Sequence, residues 1–418
     1  MKTLLVGKSK LEGEVTLQGA KNAALKFLAA SLLTSGDVLV ERCPVGMSDV
    51  QVHLDMLNCL GKVCKYQDNN SVLISEGGAV TQELMWDGRS IRNTLLVLGA
   101  LFARHGYGKV PLPGGCRLGE RKYDLHVDIL EAFGGSVRDD HDYLVVERDV
   151  AKPLKGATVH LPLRSTGATE NFLLIASLSA GKSVLYNPHV RPEVINLIEL
   201  LRLMGADVRG FGQERIEVVG RPEGLSGARI RTIPDNMEAL TWMIGSAMTS
   251  GHVLIKDFPF DHLEVPLIFL RESGVKIFRE GYDALVYGGA CYPVEIATGP
   301  YPGINSDMQP LIAAFATQSQ GTSKIVDLRF PGRYQYMEEM QKMGVKAKID
   351  GDILIIRGGD SLQGSTVRAT DLRAGVALCM LGMVSEGETR INDAWQIERG
   401  YADFSKKARS LGANVDEI

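Results

Sequence analysis

One phrase recurs six times along this chain of 418 residues: an apolar helical run that ends in glycine and passes into a short β-like stretch. It reads LNCLGKV at Gly61, LEAFGGSV at Gly134, LRLMGADV at Gly205, LRESGVKI at Gly274, MQKMGVKA at Gly344 and ARSLGANV at Gly412, with about 70 residues between copies. A second phrase keeps step with it, a small-residue helix ending in glycine and then a strand, at Gly36, Gly108, Gly181, Gly251, Gly321 and Gly387. The chain therefore reads as six copies of one helix-strand-helix-strand unit. Each copy holds two apolar-faced helices and several short strands. That is too much for a solenoid repeat and about right for one third of a compact core. Two closed domains of three repeats are expected in preference to an open superhelix, and the length suits two domains of about 200 residues.

Composition narrows the function classes. The chain is 45% hydrophobic and 23% charged with a formal net charge of −4. No Lys/Arg-rich stripe or alternation of basic and aromatic residues occurs, so no nucleic-acid partner is expected. The start, MKTLLVGKSKLEG, has no signal-like apolar core, and no segment approaches the ~20 apolar residues of a membrane span. A cytoplasmic location and no membrane partner follow as expectations, and no obligate protein partner is indicated. Cys43, Cys59, Cys64, Cys116, Cys291 and Cys379 show no paired CxxC spacing, so no metal site is expected.

The helices that precede the second phrase are rich in Ala, Leu and Met and almost free of charge, the pattern of helices buried on most sides. Their polar residues gather at the starts: Lys21 and Asn22, Arg89 and Arg92, Arg164 to Gly167, Asp235, Asp307, and Asp371 with Arg373. N-capping accounts for Ser165, Asp235, Asp307 and Asp371 without any function. It does not account for Lys21, Arg92, Arg164 and Arg373. Cations in a first turn oppose the helix dipole, which already places partial positive charge there. Several such ends pointing one way make an anion-binding focus; the alternative is that these cations are solvated or salt-bridged.

Residues 111 to 126, PLPGGCRLGERKYDLH, describe an irregular loop, with Cys116 among Arg117, Arg121 and Lys122. A thiol among three cations has its thiolate favoured, which suits it to proton transfer or nucleophilic attack.

These motifs carry a family resemblance. GAKNAAL at 19–25, LPGGCRLGER at 112–121, DLH at 124–126, GAT at 167–169, SDMQ at 306–309, ATDLRA at 369–374 and ERGY at 398–401 resemble the enolpyruvyl transferases from end to end. They are most like the branch that acts on UDP-N-acetylglucosamine. The resemblance implies an α/β fold of two inside-out α/β barrels, each of three βαβαββ repeats with buried helices. Residues 21–230 would form one domain, residues 1–20 with 231–418 the other, and the active site would lie in the cleft between. It implies transfer of the enolpyruvyl group of phosphoenolpyruvate to a sugar hydroxyl of a uridine nucleotide, with release of phosphate and no cofactor or metal.

By the same resemblance Cys116 is the general acid at the methylene carbon, also able to form a covalent adduct, and Asp307 is the base at the acceptor hydroxyl. Lys21, Arg121 and Arg399 hold phosphoenolpyruvate, with Arg92 a further anion anchor. Asn22 holds the acceptor sugar, Asp371 and Arg373 match an acid-base pair at the interdomain face, and Arg333 falls where the family keeps an arginine. Asp124 and Leu125 belong to the uridine-binding run, and Arg164, Ser165, Thr166 and Gly167 stand at the turn that cradles a diphosphate.

This chain departs from the family on the acceptor side. Lys122 and Tyr123 replace a Pro-aliphatic pair, Ser165-Thr166-Gly167 replaces Ser-Val-Gly, and Ile304-Asn305-Ser306 replaces Phe-Pro-Thr. Asn236 and Met237 stand in a run that is usually Pro-Asp-Arg-Ile-Glu. The donor-side cations and Cys116 are unchanged. Because the end-to-end resemblance is greatest to the UDP-N-acetylglucosamine branch, the default acceptor it implies is UDP-N-acetylglucosamine at its 3-hydroxyl, in peptidoglycan precursor synthesis. UMP or another uridine nucleotide, in nucleoside-antibiotic synthesis, is the alternative. A non-catalytic nucleotide-binding paralogue is a third reading, against which stand Cys116 and Asp307, both present.

Overall fold

The computed structural model describes residues 2–68, 70–113 and 123–418. All six glycines of the first phrase have positive φ, from +84° at Gly134 to +109° at Gly205. Each stands just after a helix, where the left-handed conformation turns the chain out of the spiral at low cost only for glycine. The next amide then closes the helix end: Val275 N donates to Leu270 O at 3.0 Å, and Ala206 N to Leu201 O at 3.0 Å. The second phrase uses glycine differently. Of its six, only Gly181, Gly321 and Gly387 have positive φ. Gly251 is required by contact, because a Cβ there would lie 1.9 Å from the Leu11 carbonyl oxygen.

The described residues fall into two compact units. One is continuous from Gly19 to Ile233; the other joins the segment ending at Gln18 to Pro234–Ile418. The continuous unit contains α1 (Lys21–Ala30), α2 (Ser48–Cys59), α3 (Thr94–His105), α4 (Asp124–Ala132), α5 (Thr166–Ala176) and α6 (Pro192–Leu203). The split unit contains α7 (Asn236–Met248), α8 (Glu264–Glu272), α9 (Gln309–Thr317), α10 (Tyr336–Gln341), α11 (Leu372–Val384), α12 (Trp395–Glu398) and α13 (Phe404–Ser410).

One sheet plan serves every repeat. A short strand pairs in parallel with the strand that follows the inner helix, and two further strands add antiparallel. In the sheet Thr158–His160, Lys182–Tyr186, Arg215–Val219, Asp207–Phe211, the first pair is parallel and the others antiparallel. The split unit repeats this plan with Glu295–Ala297, Thr322–Val326, Ile353–Arg357 and Lys346–Asp350. Around Tyr107–Pro111 the parallel strand shrinks to a single bridge, Glu83 with Lys109. The segment before Gln18 serves two sheets of the split unit: Glu12–Thr16 lies parallel to His252–Lys256, and Leu4–Gly7 is sandwiched between Glu388–Asn392 and Asn414–Glu417.

Helices lie inside and sheets outside. Every residue of α7 and of α9 is buried, whereas α8 buries only Pro266, Leu267 and Leu270. An inner helix with no solvent face has no use for charge along its length, which explains the Ala/Leu/Met composition. The indole of Trp242 in α7 is fully buried and stacks on Phe404 at 5.5 Å between ring centroids.

The continuous unit encloses a polar network among these helices. Lys26 Nζ donates to Asn93 Oδ1 at 3.1 Å and lies 3.4 Å from Glu170 Oε2. Asn93 Nδ2 donates to His53 Nδ1 at 3.1 Å, and Asn171 Nδ2 repeats the arrangement on His126 Nδ1 at 3.3 Å. Burial, with the nearby cations, pushes both imidazoles down to about 3, so each is neutral and accepts. Burial raises the Glu170 carboxyl to about 7; Lys26 opposes the rise and Glu193 adds to it.

Two measurements probe these features. Gly134 has open space around the missing Cβ, whereas a Cβ on Gly274 would lie 2.4 Å from the Ala290 carbonyl oxygen. Gly134→Ala is expected to cost about 1–2 kcal/mol from backbone strain alone, and Gly274→Ala more. Equal shifts in urea midpoint would remove the contact argument. The unfolded chain gives up the Glu170 proton from about pH 4.5 and the folded chain keeps it to about 7. Stability therefore falls as pH rises through this window. Glu170→Gln should flatten the fall in urea midpoint between pH 5 and 8, and parallel curves for variant and wild type would refute it.

Candidate active site

In the continuous unit the structure places Lys21 as the first residue of α1, with Asn22 half-buried beside it. Lys21 is salt-bridged: Nζ lies 3.1 Å from Asp49 Oδ2, with both side chains nearly buried. Arg89 Nη1 reaches the other oxygen, Asp49 Oδ1, at 2.7 Å. One carboxylate thus fixes two cations and leaves a net positive charge, an arrangement that suits an anion. Sequence reasoning missed Asp49. It stands in the first turn of α2, where an acidic residue is expected for the helix dipole alone, and nothing local signals its distant partners.

Two of the four expected first-turn cations lie just outside their helices. Arg92 precedes the cap residue Asn93 of α3, and Arg164 precedes the cap residue Ser165 of α5. Arg164 Nε donates to Asn187 Oδ1 at 3.2 Å, and Asn187 Nδ2 donates to Leu161 O at 2.9 Å, which ties the turn to the end of the neighbouring strand. Ser165 caps α5 through Ala168 N, and Thr166 Oγ1 lies 2.9 Å from His189 Nδ1. Gly167 lies against a histidine: a Cβ there would meet His126 Nε2 at 2.8 Å. Asp124 opens α4 exposed and Leu125 is half-buried. Cys116 and Arg121 lie outside the described residues.

The split unit gathers Asp307, Arg333, Asp371 and Arg373. Asp235 and Asp371 are N-caps, each accepting from two backbone amides of its helix. Asp307 is not a cap. α9 starts two residues later, after Met308, and Asp307 Oδ1 instead takes Arg333 Nη1 at 3.0 Å. The capping expectation fails because Pro310 and the turn held by Asn305 set the start of α9: Asn305 Oδ1 accepts from Asp307 N at 2.8 Å. Arg333 is 3% exposed, and its Nη2 faces Asp371 Oδ2 at 3.9 Å. Burial works against its charge, and Asp307 and Asp371 more than restore it, so its pKa is raised.

Asp371 and Arg373 meet through the backbone and not as a side-chain pair. Arg373 N donates to Asp371 Oδ1 at 2.7 Å, while its guanidinium lies over the Tyr401 ring at 5.3 Å. Tyr401 Oη in turn meets Thr241 Oγ1 at 2.7 Å. Arg399 is 7% exposed at the end of α12, with Nη1 donating to Gln396 Oε1 at 3.0 Å. Each unit thus carries its own charged cluster, the first built on Lys21 and Asp49 and the second on Arg333 and Asp307. Among the described residues no group of His, Cys, Asp and Glu is placed to hold a metal ion, and no helix is long and apolar enough to cross a membrane.

Comparison with known proteins gives the family. The family model of EPSP synthase (3-phosphoshikimate 1-carboxyvinyltransferase) matches residues 5–408. The chain is 38% identical over 409 residues to UDP-N-acetylglucosamine 1-carboxyvinyltransferase 1 of Caldanaerobacter subterraneus subsp. tengcongensis, covering 97% of this chain and 96% of that protein. It is 36% identical over 420 residues to UDP-N-acetylglucosamine 1-carboxyvinyltransferase 2 of Carboxydothermus hydrogenoformans, covering 100% and 99%. Among solved structures, the enolpyruvyl transferase NikO from Streptomyces tendae matches with a TM-score of 0.91 at 24% identity, covering 100% of this chain and 99% of that one. EPSP synthase from Acinetobacter baumannii matches with a TM-score of 0.76 at 18% identity, covering 100% of both. At these identities the two structures speak for the fold alone, while the family model and the sequence relatives speak for descent. The chain belongs to the enolpyruvyl (1-carboxyvinyl) transferase family.

Proposed function

We propose that this protein transfers the enolpyruvyl group of phosphoenolpyruvate to the 3-hydroxyl of UDP-N-acetylglucosamine, releasing phosphate, in peptidoglycan precursor synthesis. The observation that carries the reading is 38% identity along 97% of the chain to a UDP-N-acetylglucosamine 1-carboxyvinyltransferase. The chemistry requires a proton delivered to the methylene carbon, attack of the acceptor oxygen on the adjacent carbon, and removal of the hydroxyl proton. Loss of a proton from the new methyl group and cleavage of the carbon–oxygen bond to phosphate then restore the double bond. Cys116 is assigned the first proton and Asp307 the acceptor proton.

Lys21, Arg121, Arg399 and Arg92 neutralise the carboxylate and phosphate of phosphoenolpyruvate. The geometry of Lys21 supports this, because Asp49 holds it beside Arg89 with positive charge to spare. Asn22, Asp124, Leu125, Arg164, Ser165, Thr166 and Gly167 are assigned to the uridine nucleotide, and Arg333, Asp371 and Arg373 to the setting of Asp307. The reading draws on residues of both units and expects substrates to be held between the expected domains, 21–230 and 1–20 with 231–418. It uses no metal or cofactor, needs no protein partner, and places the reaction in the cytoplasm.

A second acceptor, UMP, is favoured by one feature. Arg164, tied back to Asn187, adds a guanidinium at the turn assigned to phosphate, a group that suits the dianion of a terminal monophosphate. Phosphate release measured with UDP-N-acetylglucosamine, UDP-glucose, UDP and UMP separates the readings. UDP-N-acetylglucosamine is expected to support turnover; activity with UMP alone would replace it, and activity with none would reject both. Saturating fosfomycin with acceptor is expected to alkylate Cys116, and Cys116→Ala to abolish or severely slow turnover. An unmodified Cys116 by mass spectrometry would count against the assigned acid.

A further inference from the structure

We propose that Asp327 and Ser306 are positioning residues for Asp307, acting through Arg333 to set how much of one guanidinium's charge falls on the reacting carboxylate. The inference rests on the reading of Asp307 as the base at the acceptor hydroxyl. Asp327 follows the strand Thr322–Val326 and is 1% exposed. Its oxygens are filled: Oδ1 accepts from Thr298 Oγ1 at 2.9 Å, Arg329 N at 3.0 Å and Phe330 N at 2.9 Å, and Oδ2 accepts from the Ser306 hydroxyl. The Asp327 amide is anchored too, donating to the buried Tyr334 hydroxyl at 3.0 Å.

The direction of the relay follows from the donor count. Ser306 has a single proton and spends it on Asp327, so its lone pairs face outward. Arg333 Nη1 donates into them at 3.0 Å, and the same nitrogen donates to Asp307 Oδ1 at 3.0 Å. Asp327, Ser306 and Arg333 are each at most 5% exposed, while the Asp307 side chain is 33% exposed. A buried scaffold therefore ends in one accessible carboxylate.

A guanidinium bound to that carboxylate alone would fix it well and make it a poor base. Here Arg333 answers to three acids, Asp307, Asp371 and Asp327. Among the described residues the surrounding charged and titratable groups include Arg333 with Tyr334 and Tyr336 before and in α10, Asp371 and Arg373 at the start of α11, Asp235 before α7, and Tyr401 beyond α12. Asp327 is the member of this set that no substrate needs to meet. It takes part of the charge of Arg333 and leaves the orientation of Asp307 intact. The sequence named Arg333 but not its link to Asp327, since residues 298, 306, 327 and 333 are brought together only by the fold.

The test uses the full chain and the pH profile of kcat/KM for the acceptor at saturating phosphoenolpyruvate. Asp327→Asn keeps the shape and removes the charge. It is expected to lower kcat about tenfold and move the acid limb about half a pH unit or more downward, with KM for phosphoenolpyruvate changed less than about twofold. A folded Asp327→Asn with the acid limb unmoved overturns the proposal. Ser306→Thr, which keeps the hydroxyl, should hold kcat within about threefold, while Ser306→Ala should lose about tenfold. If Asp327→Asn does not fold, this pair decides, and equal kcat for Thr and Ala overturns the proposal. Asp307→Asn with wild-type phosphate release would show instead that the assignment of the base is wrong, and the proposal would fall with it.

Discussion

A helix walled in on all sides has only its two ends with which to meet anything polar, and the rest of this molecule follows from that. The six inner helices bury nearly all of their length, so little water reaches their first turns, and in three of the six a side chain caps the free amides. Ser165, Asp235 and Asp371 do this in the ordinary way, each cap being worth about 1 kcal/mol. A buried charge left unpaired costs several times as much. That inequality is why Lys21, Lys26, Arg333 and Glu170 each have a buried or nearly buried group of opposite charge within 4 Å, or share one that does.

The two clusters that result have opposite bias. At the start of α1 two cations share one carboxylate, Asp49, and positive charge is in excess. Around Arg333 two carboxylates, Asp307 and Asp371, lie within 4 Å of one guanidinium, with Asp327 acting on it from further off. On the proposed reading the first would receive an anion and the second a proton. A transfer reaction between an anionic donor and a hydroxyl acceptor asks for both.

Much of the fold was legible in the sequence, and the reason is physical. A left-handed residue after a helix is affordable almost only to glycine, so LRLMG and LRESG mark real helix ends wherever they occur. The inner helices were legible because enclosure removes charge from every face at once. Site residues were harder to read. An aspartate before a helix serves as a cap or as an ion-pair partner, and Asp371 took the first role while Asp307 took the second. Asp49 and Asp327 gave no local sign of their side-chain partners, which arrive from segments 20 to 40 residues away. Arg92 and Arg164 were placed one or two residues too far into their helices, an error set by where Asn93 and Ser165 stop the spiral.

The strand Leu4–Gly7 is hydrogen-bonded on one side to Glu388–Asn392 and on the other to Asn414–Glu417. Both neighbours of this strand are synthesised long after it. The continuous unit, from Gly19 to Ile233, has all its strands in hand once its own residues are made, and on an N-to-C schedule it folds while the rest is still being translated. The strand Leu4–Gly7 meanwhile stays an open edge, short and followed by Lys8, Ser9 and Lys10, residues that discourage pairing with a stranger. Synthesis of Glu388–Asn392 and Asn414–Glu417 thus supplies both partners of this strand late, and the sheet they share is completed only then.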